Sequence, residues 1–472
     1  MLGNARVEAL HPAHLGPDLG DSLSKRLTAM HESHVIFGLD PMWVSTALLL
    51  GTYAVIMTEK INRAVVALLA AGLMISLGVL NQEAAIRGVD FNTIALLTGM
   101  MIVVNITRRS GVFQFVAFWS AKRAGGVPWK LMVMLSLVTA VMSALLDNVT
   151  TVLLVTPVTL LVARELEVSP YPFLFAEIFA SNIGGTSTLI GDPPNILIGS
   201  ATGLSFNDFV VNLAPVVAVI MGLQILATHL LWGRKLKTTP EAQARVLAYR
   251  PVDAITDPRL LVHALAVLAL VLIGFITSRA TGLEPGTVAM FGAAALMYLH
   301  VRNHHADEQS HHVHAVFGEV EWITIFFFVG LFMVVAGVER AGLLDRLAVG
   351  LVDLTGGDRT VTALVILWAS AILSAIIDNI PFVATMIPMI KNMAPGMGGP
   401  EAIAPLWWAL SLGACLGGNG TLVGASANLT VAGLAERAGV QFRFLTYTKL
   451  AFPLMLGSVA MAHVYLYFAY LR

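Results

Sequence analysis

Ser181 to Ser200 reads SNIGGTSTLIGDPPNILIGS and lies inside a long apolar region. Three features set it apart from an ordinary membrane helix. Gly184 and Gly185 loosen the backbone, Pro193 and Pro194 remove hydrogen-bond donors, and Asp192 brings a charge. Backbone that leaves the helix at membrane depth persists only where it is buried in protein or lines a wet cavity. A segment broken in this way, matched by another in the second half of a chain, points to the binding site of a transporter. The match is Ser411 to Gly433, SLGACLGGNGTLVGASANLTVAG. Gly184/Gly417, Gly185/Gly418, Thr188/Thr421, Gly191/Gly424 and Asn195/Asn428 all lie 233 residues apart.

The surrounding composition is that of a polytopic membrane protein. Only 12% of the 472 residues are charged and 57% are hydrophobic, against about 25% charged in soluble domains. The net charge of −1 and the lack of a long basic tract exclude nucleic acid as a partner. Cys415 is the only cysteine, so neither a disulfide framework nor a multi-cysteine metal site exists. The first 40 residues are polar and lack the apolar core of a cleavable signal peptide. They carry His11, His14, His31 and His34, which read as a solvated tail. Leu23, Leu27, Met30 and His34 share one face of an interfacial helix ending before Pro41.

Apolar spans fall near 42–58, 62–80, 92–107, 173–199 and 210–232, and again near 260–277, 285–300, 320–338, 402–433 and 450–470. Each set also holds a longer stretch with a polar centre, 129–165 around Asp147–Asn148 and 362–392 around Asp378–Asn379. Short halves and a polar tip read as re-entrant helical hairpins; two pairs of full crossings are the rival. A shift of 231 superimposes Gly99 on Gly330, Gly111 on Gly342, and Gly125–Gly126 on Gly356–Gly357. The same shift pairs Ser143 with Ser374, Asp147 with Asp378, Asn148 with Asn379 and Pro157 with Pro388, without a gap. The chain is a duplication.

Five crossings per copy is an odd number, so the copies must be inverted. Charge supports this. With the linker at 234–258 in the cytoplasm, that side collects 18 Lys and Arg residues, counting Arg259 at the linker's end, and the opposite loops with the C-terminus seven. Arg6, Lys25 and Arg26 of the tail fall on the outer side, against the trend. This linker and the histidine-rich one from His300 (HVRNHHADEQSHHVH) read as solvated connections.

Ionisable groups inside crossings are costly and mark ion or substrate paths. Away from span ends, four remain: Asp147, Glu177, Asp192 and Asp378. Asp147 and Asp378 head the second arms of the hairpins, where a carboxylate caps free N–H groups and meets the positive end of the helix dipole. Capping alone and capping combined with cation or proton binding both fit; the repeated Asp-Asn favours the second. Asp192 has Ala425 as its counterpart, and this asymmetry makes it a candidate for the coupling proton. Its bland alternative is an N-cap for the half-helix starting at Pro193. Glu177 is a fourth candidate, paired with Asn105 or open to solvent. Asn148, Thr150, Ser187, Thr188 and Asn195 from the first half, with Asn379, Asn419, Thr421 and Asn428 from the second, are the candidate substrate contacts. No Arg, Lys or His lies within these motifs, so a strongly anionic substrate would depend on helix ends. One cysteine cannot hold a metalloid by several thiolates, and Cys415 reads as packing. What remains is a small neutral polyhydroxy species or a hard cation such as Na⁺, with no cofactor.

The Asp147–Asn148 tip, SNIGGTSTLIGDPPNILI (Ser181–Ile198), SAIIDNIPFVATMIP (Ser374–Pro388) and LGACLGGNGTLVGASANLTVAG (Leu412–Gly433) carry a family resemblance. Over residues 42–470 the chain resembles the arsenical pump branch of the ion transporter superfamily, which also holds relatives of the melanosomal P protein. The resemblance implies a scaffold of outer helices around a transport domain of two hairpins and two broken helices. It also implies a homodimer, an elevator-like shift, and secondary transport driven by protons or Na⁺. The Ser-Asn-Thr hairpin tips of the superfamily's dicarboxylate carriers are absent; Asp-Asn stands there.

The sequence therefore predicts an all-α polytopic membrane protein. Two inverted repeats of five transmembrane helices, 41–233 and 259–472, each hold a re-entrant hairpin and a broken helix. The expected function is export of arsenite or antimonite across the bacterial inner membrane in exchange for protons. A Na⁺/H⁺ antiporter, a dicarboxylate or other anion carrier, and a channel-like anion pathway are the alternatives; an enzyme is not expected. A cytoplasmic ATPase docked on the basic face is a further partner to test.

Overall fold

The computed structural model describes residue 35, residues 38–58 and residues 60–472. The expected interfacial helix and the tail histidines lie outside them. The described protein is all-helical, without a strand. Among the described residues, eight helices are long and apolar enough to cross a membrane, and Pro41–Met57, Arg63–Ser76 and Pro285–Val301 are shorter apolar helices. The expected spans coincide with helices, and the two flagged stretches are interrupted as read. Tyr171–Thr186 is followed by Pro193–Thr202, and Ala404–Gly417 by Ser426–Arg437.

Two layers are each built on close approach of small residues. In the outer layer, Phe91–Arg108 packs on Pro285–Val301 and Trp322–Arg340 on Arg63–Ser76. A Cβ at Gly99 would overlap the backbone of Ala289, and one at Gly330 the backbone of Ala67. In the inner layer, Pro128–Leu145 packs on Tyr171–Thr186 and Arg359–Ile376 on Ala404–Gly417. There a Cβ at Gly184 would overlap Ala140 and one at Gly417 would overlap Ala371. In an apolar solvent, association rests on such close packing rather than on expulsion of water. Hydroxyls lock the same seams: Ser143 donates to the Ser181 carbonyl at 2.7 Å and Ser374 to the Ala414 carbonyl at 2.6 Å.

Several sequence readings change. Gly184 and Gly185 do not break their helix; they lie in its last turn, and the break runs from Ser187 to Asp192. Their missing side chains serve contact with Ala140 and with Gly191 rather than backbone looseness. The hairpin arms are not short. Pro128–Leu145, Asn148–Glu165 and Arg359–Ile376 have 18 residues each and Asn379–Met393 has 15, about 27 Å for the longer ones. Length alone would class three of the arms as spans; what marks the tips is their burial against the broken helices. The linkers are also not free connections. Helix Pro240–Ala248 buries Ala242 and Val246, and Thr256 donates from its backbone N–H to the Ser110 carbonyl at 3.0 Å. The histidine-rich linker forms helix Ala306–Gly318 with Val316 buried. His304 and His312 lie 4.3 Å apart by ring centroid, but no described group of three or more His, Cys, Asp or Glu residues is arranged to hold a metal ion.

Candidate transport site

Breaking a helix inside an apolar layer strands backbone N–H and C=O groups, which must find other partners. Two residues in each half supply them. Thr188 Oγ1 donates to the Ala144 carbonyl at 2.5 Å, and Asn195 Nδ2 donates to the Thr186 and Thr188 carbonyls at 3.0 and 2.9 Å. In the second half Thr421 Oγ1 donates to the Ala375 carbonyl at 2.6 Å, and Asn428 Nδ2 to the Gly418 and Thr421 carbonyls at 2.7 and 2.8 Å. Ser187 Oγ donates to the Gly184 carbonyl at 2.6 Å. These five expected contact residues thus stand at the breaks and hold the unwound backbone in shape.

Four half-helices begin around one buried junction. Asn148 starts the second arm of hairpin 1 and donates from Nδ2 to Asn182 Oδ1 at 3.2 Å. Asn182 Nδ2 in turn donates to Asn419 Oδ1 at 3.0 Å and Asn428 Oδ1 at 2.9 Å. Asn379 starts the second arm of hairpin 2 and donates to Asp192 Oδ1 at 3.3 Å. Asp378, one residue earlier, accepts from Ser426 Oγ at 2.8 Å. The starts at Asn148, Pro193, Asn379 and Ser426 are thereby joined across both halves, and each contributes the positive end of its dipole. Asp192 Oδ2, Asn148 Oδ1 and Asn419 Nδ2 are buried here without a protein partner. Buried polar groups of this kind are completed by a water, an ion, a proton or a ligand.

The four acids separate in role. Asp147 Oδ1 accepts from the Thr150 N–H at 2.8 Å and Asp378 Oδ1 from the Ile380 N–H at 3.0 Å, so both cap their arms as expected. Asp192 occupies the N-cap position but makes no capping bond, which removes its bland alternative. Glu177 pairs with neither Asn105 nor solvent. It is buried and accepts from Thr156 Oγ1 at 2.5 Å, while Asn105 donates to the Glu319 carbonyl at 2.9 Å. Helical spacing could not reveal this, because Thr156 comes from the neighbouring hairpin. Thr150, whose N–H Asp147 caps, also lines a cavity of about 480 Å³ with Asn105, Arg108 and Glu319.

Two participants escaped the sequence reading. Asn182 is the hub of the amide network, yet its partner at the 233 shift is Cys415, so no repeated letter marked it. Cys415 occupies the matching place, with its thiol 3.6 Å from Asn195 Oδ1 where Asn182 meets Asn428. Arg63, counted as a loop cation, reaches from the outer layer to Asp378 Oδ2 at 3.2 Å and Ser426 Oγ at 2.5 Å.

A family profile described as CitMHS, citrate transporter, matches residues 53–413. The chain belongs to the citrate transporter family. An uncharacterized transporter of Mycobacterium bovis is 41% identical over 435 residues, covering 90% of this chain and 98% of the relative. The human P protein is 33% identical over 510 residues, covering 90% of this chain and 60% of that longer protein. The P protein side of the expected resemblance is thereby met, within a family described by citrate. The YdaH transporter of Alcanivorax borkumensis shares the fold with a TM-score of 0.57 at 16% identity, over 91% of this chain and 98% of that one. MtrF of Neisseria gonorrhoeae follows with a TM-score of 0.50 at 11% identity, over 93% and 97%. This citrate transporter family member is a multi-pass membrane protein and a secondary transporter of the anion-permease kind, not an enzyme.

Proposed function

We propose that the protein carries a small polycarboxylate of the citrate or dicarboxylate class across the bacterial inner membrane, coupled to H⁺ or Na⁺. The observation that carries this reading is the meeting of four half-helix starts at one buried junction, with Arg63 beside it. Helix N-termini favour anions without a bound cation, and Arg63 supplies the basic side chain that the motifs themselves lack. In the same proposal, Asp192 takes the coupling ion, since its Oδ2 is buried without a partner. Asp147, Asp378 and Glu177 form the supporting acids. Asn148, Asn379 and Asn419 present amide groups to substrate, with Thr188, Asn195, Thr421 and Asn428 holding the loops behind them. Two inverted halves and a homodimer complete it.

Uptake of labelled citrate and succinate into membrane vesicles tests the reading. Saturable uptake that collapses on dissipating the proton and Na⁺ gradients is expected; gradient-independent background equal to empty vesicles overturns it. Arsenite or antimonite export is the second reading, favoured by the uncharged amides of Asn148, Asn182, Asn419 and Asn428 at the junction. Protection of an exporter-deficient strain against arsenite, without citrate uptake, would select it.

A further inference from the structure

Among the described residues, Arg63 is the basic side chain of the outer layer that pairs with a hairpin-tip acid. Its guanidinium gives NH1 to Asp378 and Ser426 and NH2 to Thr324 Oγ1 at 3.1 Å, and its centre lies 5.1 Å from the Phe327 ring centroid. Three of its five N–H groups are therefore engaged, and Phe327 holds the planar group by stacking. The pair is not sealed: the Arg63 side chain is 25% exposed and Asp378 10%. A cavity of about 260 Å³ ends on Arg63 and Asp378, walled by Ile56, Ile61, Val423 and Leu429. Val423 and Leu429 also wall a cavity of about 1260 Å³ that extends along Glu436, Gln441 and Arg443. The two form a vestibule leading from the face that carries Arg437 and Arg443 to the Arg63 guanidinium. The matching position in the other half carries no basic side chain. Gly330 meets Ala67 as Gly99 meets Ala289, which aligns Arg63 with Pro285, a residue without a side-chain donor.

We infer that Arg63 is the residue with which the outer layer receives a carboxylate of the substrate, Asp378 holding its place until the substrate arrives. This rests on the anion-carrier reading and adds to it a specificity residue and an entry route. Two carboxylates compete for one guanidinium, and only the substrate's can travel. A fixed structural ion pair would need neither a vestibule nor spare N–H groups.

The test compares single and double variants in citrate uptake. Arg63→Gln should raise KM by about a hundredfold, and Arg63→Lys by about tenfold, because a point charge replaces a fork. Asp378→Asn should lower KM for citrate, the loss of a supporting acid falling on the maximal rate instead, and Arg63→Gln/Asp378→Asn should keep the high KM of Arg63→Gln. Recovery of uptake in the double variant would make the pair merely structural and overturn the assignment. A second arm does not depend on turnover. Ile61→Cys, on the vestibule wall, should react with a membrane-impermeant thiol reagent from the cytoplasmic side, since Cys415 is buried. Citrate should slow that reaction about fivefold or more, and Arg63→Gln should abolish the protection. Labelling that citrate never slows, in vesicles that do transport citrate, overturns the role of Arg63 while leaving the carrier intact. A wild-type chain that neither transports nor binds citrate or succinate overturns the carrier reading, and the assignment with it.

Discussion

The two broken helices hold their breaks with the same bonds from the same residues, and they differ in groups that reach beyond the breaks. Thr188 and Thr421, Asn195 and Asn428, Ser143 and Ser374, and Gly184 and Gly417 play equal parts in their own halves. Against this background Asp192 stands opposite Ala425, Asn182 opposite Cys415, and Arg63 opposite Pro285. What the halves share builds the unwound loops. What they do not share is charge and hydrogen-bonding reach at the junction. An acid or a base present on one side only is not needed to build an unwound loop, since the other half builds its loop without one.

The largest effect should come from erasing the Asp192–Ala425 difference. Asp192→Asn is expected to cut gradient-driven uptake by about a hundredfold, the loss of one buried charge interaction, while the protein still reaches the membrane at normal abundance. Moving the acid, Asp192→Asn with Ala425→Asp, should not restore uptake; restoration would show that the halves are interchangeable. A second prediction breaks what is shared. Gly184→Val and Gly417→Val should each destabilise the detergent-solubilised protein by about 1–3 kcal/mol or more, since each new side chain meets backbone that cannot yield. Equal losses in thermal midpoint support the pairing of the halves, and a large loss in one only would break it.

Asn182 and Cys415 should separate next. Asn182→Ala strands the amides of Asn148, Asn419 and Asn428 and should cost about 2–3 kcal/mol, against about 1 kcal/mol for Cys415→Ala, which removes a small buried group. Thermal midpoints of the two variants measure the ratio; equal shifts would show that the amide network carries no special weight.

The smallest effect lies outside the paired core, where helix Ala306–Gly318 has only the short helix Gln82–Arg87 between the corresponding crossings of the first half. Desolvation, then the neighbouring His304, Arg109 and His311, holds the His312 imidazole below its ordinary value, with Glu308 opposing. The docked helix therefore prefers neutral His312. Its contribution is complete above the ordinary imidazole range and is lost as pH falls through it. Amide protection over 306–318, taken relative to the intrinsic exchange rate at each pH, should fall modestly between pH 7 and pH 5, and less so in His312→Gln.

The breaks were legible because Gly, Pro and Asp inside apolar spans violate a rule that only buried backbone can excuse. Matching letters at 231 and 233 marked Thr188, Asn195, Thr421 and Asn428, expected as substrate contacts and found holding the unwound backbone. The same criterion hid Asn182, whose counterpart is a different amino acid. Arg63 was hidden for another reason: three residues after Lys60 at the start of a span, it looks like any headgroup-facing cation, and Asp378 lies 315 positions away. Glu177 was misassigned because its own helix offers no clue to Thr156 across the seam. Sequence periodicity reports what one segment does; it is silent on which segment comes to lie beside it.

Where Gly184 meets Ala140 and Gly417 meets Ala371, backbone rests on backbone, with no rotamers in between to absorb displacement. Each seam acts as a weld: a hairpin's first arm cannot slide along its broken helix without parting backbone from backbone. The loops before the welded arms are made differently. Gly125–Gly126 and Gly356–Gly357 sit there, all four with positive φ, so both arms are entered through the same left-handed turn that only glycine takes without strain.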